Sequence, residues 1–270
     1  MKLSEACRIL ADAGVRDSVF DAKEIFSELG GFSRIDLTLT DVQTDNREVI
    51  DAIGRRAARE PLAYILGYAY FYREKYKVNE NCLVPRADTE ILVDYAVRNI
   101  PVGAHFADLC TGSGCIGISV LANTKNTTAI LADISPDALG LAMENARALG
   151  VFERAEFLLA DIKAAPVSDK LYAVLSNPPY VRDEVYRTLD KEIFFEPRIA
   201  FVGGGDGADF YRAITPLYRD VIDDDGFILY EIGYDQGTLI GKIAEEYGMS
   251  CEIIRDLSGN DRVAVLRKNH

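Results

Sequence analysis

The sequence is poor in the side chains that most often bind metal ions or cross-link a chain. Its 270 residues include only two histidines, His105 and His270. The five cysteines are scattered without a CxxC pair: Cys7, Cys82, Cys110, Cys115 and Cys251. Neither a zinc site nor a disulfide framework is expected from this pattern, and we predict a reducing setting with no bound metal.

Long apolar runs are also missing. No stretch approaches the length that spans a membrane, and the first five residues, MKLSE, contain no apolar leader-like segment. The sequence therefore predicts a cytoplasmic protein that does not contact a membrane.

Positive charge is in short supply. Thirty Lys and Arg residues face 43 Asp and Glu residues, which gives a formal net charge of −13. A protein that holds phosphate backbones usually carries the opposite balance, so we expect no nucleic acid as substrate. About half of the residues are apolar, at 49%, and the length allows a small domain beside a medium one.

The first 60 residues have the periodicity of helices. Apolar side chains at helical spacing predict three helices, within residues 3–13, 20–29 and 42–58. We expect a small helical bundle over residues 1–60 that recognises a partner. Residues 61–85 are rich in tyrosine and predict a β-hairpin linker, with strands at 75–78 and 82–84 around a turn at 79–81.

Residues 86–270 alternate between strand and helix patterns. The predicted strands cover residues 105–109, 128–133, 156–159, 172–176, 227–232, 252–256 and 262–266, with a turn at 223–226. Ser135 and Pro136 predict the start of a helix after the second strand. This alternation is typical of an α/β fold, here a doubly wound, Rossmann-like sheet of seven strands.

The fourth predicted strand of this region ends in Asn177-Pro178-Pro179-Tyr180. Proline cannot continue a ladder of hydrogen bonds, so the chain must leave the sheet there, at the edge where α/β proteins bind ligands. The Asn177 amide oxygen and the Pro178 carbonyl can both accept hydrogen bonds from a flat NH2 group. Tyr180 can stack against that group or enclose it.

A glycine-rich loop follows the first strand of the same region. Gly112, Gly114 and Gly117 match the GxGxxG fingerprint of dinucleotide sites, and Asp133 ends the next strand, where it can bind the two hydroxyls of a ribose. The pattern fits an NAD-dependent oxidoreductase as well as an enzyme that uses S-adenosyl-L-methionine.

Two further carboxylates favour the second class. Asp108 precedes the glycine loop, where it can meet the ammonium group of S-adenosylmethionine but would repel a pyrophosphate. Asp161 follows the third strand and can accept from the adenine amino group. The two histidines fall outside positions from which they could assist hydride transfer.

These motifs resemble those of class I adenosylmethionine-dependent methyltransferases that act on amide or exocyclic amino nitrogens. Further strings narrow the resemblance to the HemK/PrmC family, the glutamine methyltransferases of peptide chain release factors. The strings are Val84-Pro85-Arg86-Ala87-Asp88-Thr89-Glu90, Glu196-Pro197-Arg198-Ile199-Ala200, Gly203-Gly204-Gly205-Asp206-Gly207, Glu231-Ile232-Gly233-Tyr234-Asp235-Gln236-Gly237 and Asp256-Leu257-Ser258-Gly259-Asn260-Asp261-Arg262-Val263.

The resemblance implies methyl transfer from S-adenosyl-L-methionine to the glutamine of the Gly-Gly-Gln loop in class 1 release factors, by a protein that we expect to be a monomer. It implies a catalytic loop at Asn177, Pro178, Pro179 and Tyr180. It also implies a cofactor site made of Asp108, Cys110, Thr111, Gly112, Ser113, Gly114, Asp133, Ile134, Asp161, Ile162 and Asn177. Cys110 stands where the family commonly has glycine, and Ile162 where an aromatic ring often packs against adenine.

Two other substrates suit the same chemistry. The amino group of a DNA base such as adenine is also planar and conjugated, and a sister group of enzymes methylates a glutamine of a ribosomal protein. A DNA methyltransferase needs a basic groove and a target-recognition domain, whereas this chain combines an acidic total with a small helical region.

Overall fold

The computed structural model describes residues 1–168 and 170–269, so His270 lies outside the described residues. The chain divides into two compact units. The first comprises Met1–Tyr68 and Asp190–Phe195, and the second comprises Ala69–Leu189 and Glu196–His270. None of the described helices combines the length and apolar character needed to cross a membrane.

The first unit is helical, as the sequence predicts. Its helices are α1 (Leu3–Asp12), α2 (Ser18–Glu28), α3 (Asp36–Leu39), α4 (Arg47–Ala57) and α5 (Leu62–Leu66). The longer helices bury apolar side chains in one shared cluster, which includes Leu10, Ile25, Phe26, Val49 and Ile53.

Two details of this unit differ from the prediction. The third predicted helix, over residues 42–58, begins only at Arg47, because the Asn46 side chain accepts the Glu48 N–H and caps the helix there. Phe20, which the apolar stripe of α2 included, is 59% exposed, since α2 turns Ala22, Ile25 and Phe26 toward the cluster instead.

A largely buried ion cluster joins residues that are far apart in the sequence of this unit. The Arg56 guanidinium donates to Asp21 at 2.7 Å and to Glu192 at 3.1 Å. Arg59 donates to both carboxylate oxygens of Glu192 at 2.6 Å. Burial raises the pKa of Asp21, and its hydrogen bond to Arg56 opposes that rise. Ion pairs of Glu192 with Arg56 and Arg59 thus hold the segment Asp190–Phe195 against the end of α4.

A β-hairpin is present in the linker region, but at a different place. Strands β1 (Tyr68–Phe71) and β2 (Glu74–Lys77) form a two-stranded sheet, and Tyr72 at the turn adopts a positive φ of 56°. The predicted return strand at residues 82–84 is wrong. Cys82 and Val84 are buried singly in irregular chain, and the Val84 N–H donates to the Glu196 carboxylate rather than to a neighbouring strand.

The second unit contains the seven-stranded sheet, in the order β5-β4-β3-β6-β7-β9-β8. Its strands are β3 (His105–Leu109), β4 (Thr128–Asp133), β5 (Ala155–Leu159), β6 (Leu171–Ser176), β7 (Ile222–Glu231), β8 (Met249–Arg255) and β9 (Asp261–Lys268). Strands β3 to β7 run parallel, and β9 pairs antiparallel with both β7 and β8. The predicted fold class is confirmed.

Helices cover both faces of this sheet. They are α6 (Glu90–Asn99), α7 (Cys115–Asn123), α8 (Pro136–Ala148), α10 (Asp209–Arg219) and α11 (Gly237–Glu246), and the single turn α9 (Asp183–Tyr186) lies in the connection that follows β6. Alternate residues of each strand enter one of two apolar layers, as with Phe106 and Ala107 of β3. The layer with Phe106 packs against α6 and α7, and the layer with Ala107 packs against α10 and α11.

The predicted turn at residues 223–226 is wrong in a similar way. These residues belong to β7, where the pairing with β6 shifts between Leu171 and Ala173. The pairing moves from Leu171–Ile222 to Ala173–Phe227, so the extra residues are taken up as an irregularity of the ladder. A run of three aspartates and a glycine favours a turn locally, but here these residues form the bulge of a strand that is paired with β6 on both sides of them.

Candidate active site

The crossover of the sheet places two loops side by side. The chain passes from β3 to β4 and β5 on one side, and then returns to place β6 on the other side of β3. Leu109 pairs with both Ala132 and Ser176, and the Ser176 hydroxyl donates to the Leu109 carbonyl at 2.7 Å. The next residue on each strand is therefore part of one shared edge, which is the position of ligand sites in open α/β sheets.

A cavity of about 520 Å³ opens at this edge, within the size range of small-molecule sites. Ten of the predicted site residues line it: Cys110, Thr111, Gly112, Ser113, Asp133, Ile134, Asp161, Ile162, Asn177 and Pro179. Four others, Asp108, Gly114, Pro178 and Tyr180, are not among the lining residues.

Asn177 lies at the cavity wall directly after β6. Its Nδ2 donates to the Thr89 hydroxyl at 3.4 Å, and no described residue donates to its Oδ1. The Thr89 hydroxyl donates in turn to Glu231 Oε2, and Tyr180 donates to Glu231 Oε1 at 3.0 Å. Tyr180 therefore points its hydroxyl into this network, and a direct contact of its ring with substrate stays a prediction.

The backbone of the Asn-Pro-Pro-Tyr loop is held by hydrogen bonds from two other segments of the sheet unit. Val181 and Val202 form an isolated parallel bridge, and the Gly203 N–H donates to the Val181 carbonyl at 2.9 Å. The Gln236 amide donates to the carbonyls of Tyr180 and Gly207 at 3.2 and 3.3 Å. The loop is thus fixed by its main chain as well as by the Tyr180 side chain.

The glycine loop turns sharply between β3 and α7. Cys110 has φ +59°, a left-handed conformation that favours glycine. Glycine, which is common at this position in the family, would adopt this conformation without strain, whereas cysteine adopts it at a cost. Gly117, in the first turn of α7, packs against Asp108, and a Cβ there would lie 2.9 Å from Asp108 Oδ2. This close approach explains the third glycine of the fingerprint.

Asp133 is held in place by main-chain donors. Its Oδ2 accepts the Gly112 N–H at 2.9 Å, and its Oδ1 accepts the Ser135 N–H at 2.9 Å. Burial raises the pKa of Asp133, and these N–H groups oppose the rise. Each oxygen keeps a further lone pair, so the carboxylate can still accept from a pair of hydroxyl groups.

The adenine end of the predicted site combines an exposed carboxylate with apolar side chains. Asp161 Oδ1 accepts the Lys163 N–H at 3.0 Å. Ile162 is buried and Ile134 is exposed, and both line the cavity. A flat aromatic group would find apolar surface and a hydrogen-bond acceptor here.

Asp108 is placed behind the glycine loop rather than in the cavity. It is fully buried, and its Oδ2 accepts from the Thr111 hydroxyl at 2.6 Å and from the Gly117 N–H at 2.9 Å. Its Oδ1 has no hydrogen-bond partner among the described residues. Burial raises the pKa of Asp108 to about 7, against the effect of these two donors. This position differs from the one expected for direct contact with an ammonium group in the cavity.

Several residues of the site carry roles that the sequence analysis did not assign. Thr89 and Glu231 connect Asn177 to Tyr180, while Arg86 lines the cavity and forms an ion pair with the buried Glu196. All four belong to the strings that resemble the HemK/PrmC family. That resemblance was the only available signal, because nothing in the spacing of these residues indicates that they meet.

The residues present fit S-adenosylmethionine as ligand. A carboxylate with both oxygens anchored suits the ribose hydroxyls, and Ile162 with Asp161 suits adenine. Glycine at position 112 leaves the loop surface open, since the nearest atom to a Cβ there would be the Cys82 Cβ at 4.0 Å.

Comparison with known proteins agrees with this geometry. The family model described as "PrmC N-terminal domain" matches residues 2–67, and the model described as "Methyltransferase small domain" matches residues 87–206. The matches fall on the helical region and on the part of the sheet that carries both loops.

Curated relatives match the chain over most of its length. The release factor glutamine methyltransferase of Caulobacter vibrioides is 35% identical over 268 residues, covering 96% of this chain and 93% of the relative. The protein of the same name from Cereibacter sphaeroides is 35% identical and covers 99% of both chains.

Among solved structures, the ribosomal protein L11 methylase of Lactobacillus delbrueckii subsp. bulgaricus superposes with a TM-score of 0.53. It is 17% identical and covers 72% of this chain and 84% of its own, a likeness that concerns the fold alone. The relatives that match over most of both chains establish the family, and they exclude the alternative of an NAD-dependent oxidoreductase. The chain belongs to the family of release factor glutamine methyltransferases.

Proposed function

We propose that this protein transfers a methyl group from S-adenosylmethionine to the side-chain amide nitrogen of the glutamine in the Gly-Gly-Gln loop of class 1 peptide chain release factors. The observation that carries the proposal is the orientation of the Asn177 side-chain amide. Its Nδ2 is engaged by Thr89, which leaves Oδ1 for a ligand at the wall of a cavity that also contains Asp133. An acceptor at that point suits a substrate that bears N–H groups.

The cofactor supplies a methyl group made electrophilic by a positively charged sulfur. When the cofactor is bound, Asp133 would hold the ribose hydroxyls, and Asp161 with Ile162 would bind the adenine, beside the loop at Gly112. Asn177 Oδ1, at the cavity wall, would accept a hydrogen bond from one N–H of the substrate amide. The motif assigns the other N–H to the Pro178 carbonyl.

These two acceptors carry the catalytic effect. An amide nitrogen is a poor nucleophile because its lone pair is delocalised. As the carbon–nitrogen bond formed and the methyl–sulfur bond broke, the electron pair would return to sulfur and positive charge would develop on the nitrogen. Preorganised acceptors on its N–H bonds would stabilise that charge. No base is needed before transfer, because the proton leaves to solvent afterwards.

The proposal extends to the partner and its setting. The helical unit exposes large apolar side chains, among them Phe20, Ile35 and Leu39, and we assign the release factor contact to this unit. The protein acts as a monomer in the cytoplasm, and nucleic acid is not its substrate. The excess of 43 acidic over 30 basic residues supports the last point.

A transfer assay with tritiated S-adenosylmethionine tests the substrate. Label is expected in a class 1 release factor and not in its Gln→Ala loop variant, because the glutamine nitrogen is the acceptor. Duplex DNA and a ribosomal protein serve as alternative acceptors. Label in DNA, or in the ribosomal protein at a higher rate than in the release factor, contradicts the proposal.

A further inference from the structure

A chain of three hydrogen bonds leads from Asn177 into the core of the sheet unit. Asn177 Nδ2 contacts the Thr89 hydroxyl, and the Thr89 hydroxyl contacts Glu231 Oε2. The Tyr180 hydroxyl contacts the other oxygen of Glu231. Glu231 ends strand β7 and is 2% exposed, so water does not compete for it.

The direction of these hydrogen bonds follows from the carboxylate. An ionised carboxylate only accepts, so both hydroxyl groups must turn their hydrogens toward Glu231. Thr89 Oγ1 then has only lone pairs left for Asn177. An amide oxygen would be repelled there, whereas an amide NH2 is bound.

Arg262 and the two hydroxyl donors favour the ionised state of Glu231, whereas its burial and the negative charge of Asp88 oppose it. Arg262 is close enough to attract the carboxylate, and its guanidinium is held by Asp88 at 3.1 Å and by Asp256 at 3.2 Å. Burial raises the pKa of Glu231, while the Thr89 and Tyr180 hydroxyls and Arg262 act in the opposite direction. Two hydroxyl donors on one carboxylate are the arrangement that an ionised group satisfies best.

We infer that Thr89 and Glu231 are positioning residues that determine which end of the Asn177 amide faces the cavity. With Thr89 as acceptor, Asn177 presents Oδ1 to the ligand. Turned the other way, its NH2 would meet the NH2 of the substrate, and neither group could accept. The pair therefore selects a substrate that donates hydrogen bonds, an inference that rests on the proposed methyl transfer to an amide.

Three variants separate positioning from packing. Thr89→Val keeps the shape of the side chain but removes its lone pairs, Thr89→Ser keeps the hydroxyl but removes the methyl group, and Glu231→Gln can donate to Thr89 and so reverse the direction of the network. For each variant, kcat and KM for the release factor are measured, and the Kd of S-adenosylmethionine is measured by calorimetry.

The expected result is a split between rate and binding. Thr89→Val and Glu231→Gln each lower kcat about tenfold or more, the effect of one lost orienting hydrogen bond, without changing the cofactor Kd. Thr89→Ser retains most of the rate. An unchanged kcat in Thr89→Val or in Glu231→Gln overturns the inference. An equal loss in Thr89→Ser and Thr89→Val also overturns it, because packing alone would then explain the effect.

A second readout does not depend on turnover. The side-chain NH2 resonances of Asn177, identified by their loss in Asn177→Ala, report on the acceptor that they contact. In Thr89→Val these resonances are expected to shift and their protons to exchange faster with water, whereas in Thr89→Ser they should stay as in the wild type. Identical spectra in the wild type, Thr89→Val and Thr89→Ser would contradict the inference. If the wild-type protein did not methylate the release factor, the proposed function would fail, while these spectra would still test the orientation of Asn177.

Discussion

Gly203 packs directly against the backbone of Tyr180. A Cβ atom at position 203 would lie 2.8 Å from Tyr180 Cα and would also collide with the Pro179 carbonyl. This contact, together with the Gly203–Val181 hydrogen bond, makes the second glycine-rich string a support for the Asn-Pro-Pro-Tyr loop. Gly205, two residues later, has open space around it.

Replacing Gly203 with alanine is therefore expected to impair catalysis by displacing the loop. Because a Cβ cannot be accommodated without moving main-chain atoms, we expect kcat to fall about tenfold or more, as for a misplaced reacting group. Gly205→Ala is the matched control and should retain its rate. Steady-state kinetics of both variants check the prediction, and equal rates would show that the contact does not position the loop.

Asn177→Ala is expected to abolish most of the transfer while leaving cofactor binding largely intact. The variant removes an acceptor for the developing charge, so kcat should fall by about 10²–10³, the range for single preorganised hydrogen-bonding groups. A transfer assay and calorimetry with S-adenosylmethionine measure the two effects. Turnover near that of the wild type would refute the assigned role.

Asp133→Ala is expected to weaken cofactor binding. Losing charge-assisted hydrogen bonds to two hydroxyls should raise the Kd of S-adenosylmethionine about 10- to 100-fold. Asp137, an exposed aspartate in the first turn of α8, provides the control, since its alanine variant should bind with wild-type affinity. Calorimetry on both variants decides, and an unchanged Kd in Asp133→Ala would remove this residue from the site.

Arg56 and Arg55 are neighbours in sequence that should differ in their contribution to stability. Arg56→Ala leaves the buried Asp21 carboxylate without its cation, which costs about 3–5 kcal/mol for a broken buried pair. Arg55 is 48% exposed and pairs with Glu60, so Arg55→Ala should cost less than about 1 kcal/mol. Urea unfolding of the full chain, followed by circular dichroism, compares them. Equal decreases in the free energy of unfolding would show that the Asp21–Arg56 pair does not stabilise the fold more than the exposed Arg55–Glu60 pair does.

Asp108 should make the stability of the protein depend on pH. Its pKa rises from 3.8 to about 7 in the fold, so the protonated form stabilises the folded state. That contribution is fully present below the unfolded pKa and is lost as pH rises through about 7.

Thermal unfolding of wild type and Asp108→Asn between about pH 4 and pH 8 tests this sign. The melting temperature of the wild type should fall relative to the variant across that interval, because the variant cannot lose the proton. Asp225→Asn, at an exposed aspartate, should follow the wild type. Parallel curves for wild type and Asp108→Asn would contradict the raised pKa.

The position of the cavity could be predicted because it depends on local patterns and on one topological rule. Apolar runs that end in Asp133 and Asn177 predict strands, and parallel strands that flank β3 must bring their carboxyl ends to one edge. Two segments outside these loops could not be predicted from the sequence. Cys82 and Val84 have the pattern of a strand but are buried one at a time. The aspartates of β7 fall in the register shift between β6 and β7, where the strand continues past residues that have no partner on β6.

The amino-acid sequence by itself determined the seven strands, the helical N-terminal region and the two loops, since each depends on periodicity, proline and glycine over a few residues. Only the tertiary structure decided that Thr89 and Glu231, 142 residues apart, meet beside Asn177, and that Asp108 lies behind the glycine loop. Such contacts arise when distant segments are buried together, and the energy that selects them comes from satisfying polar groups away from water.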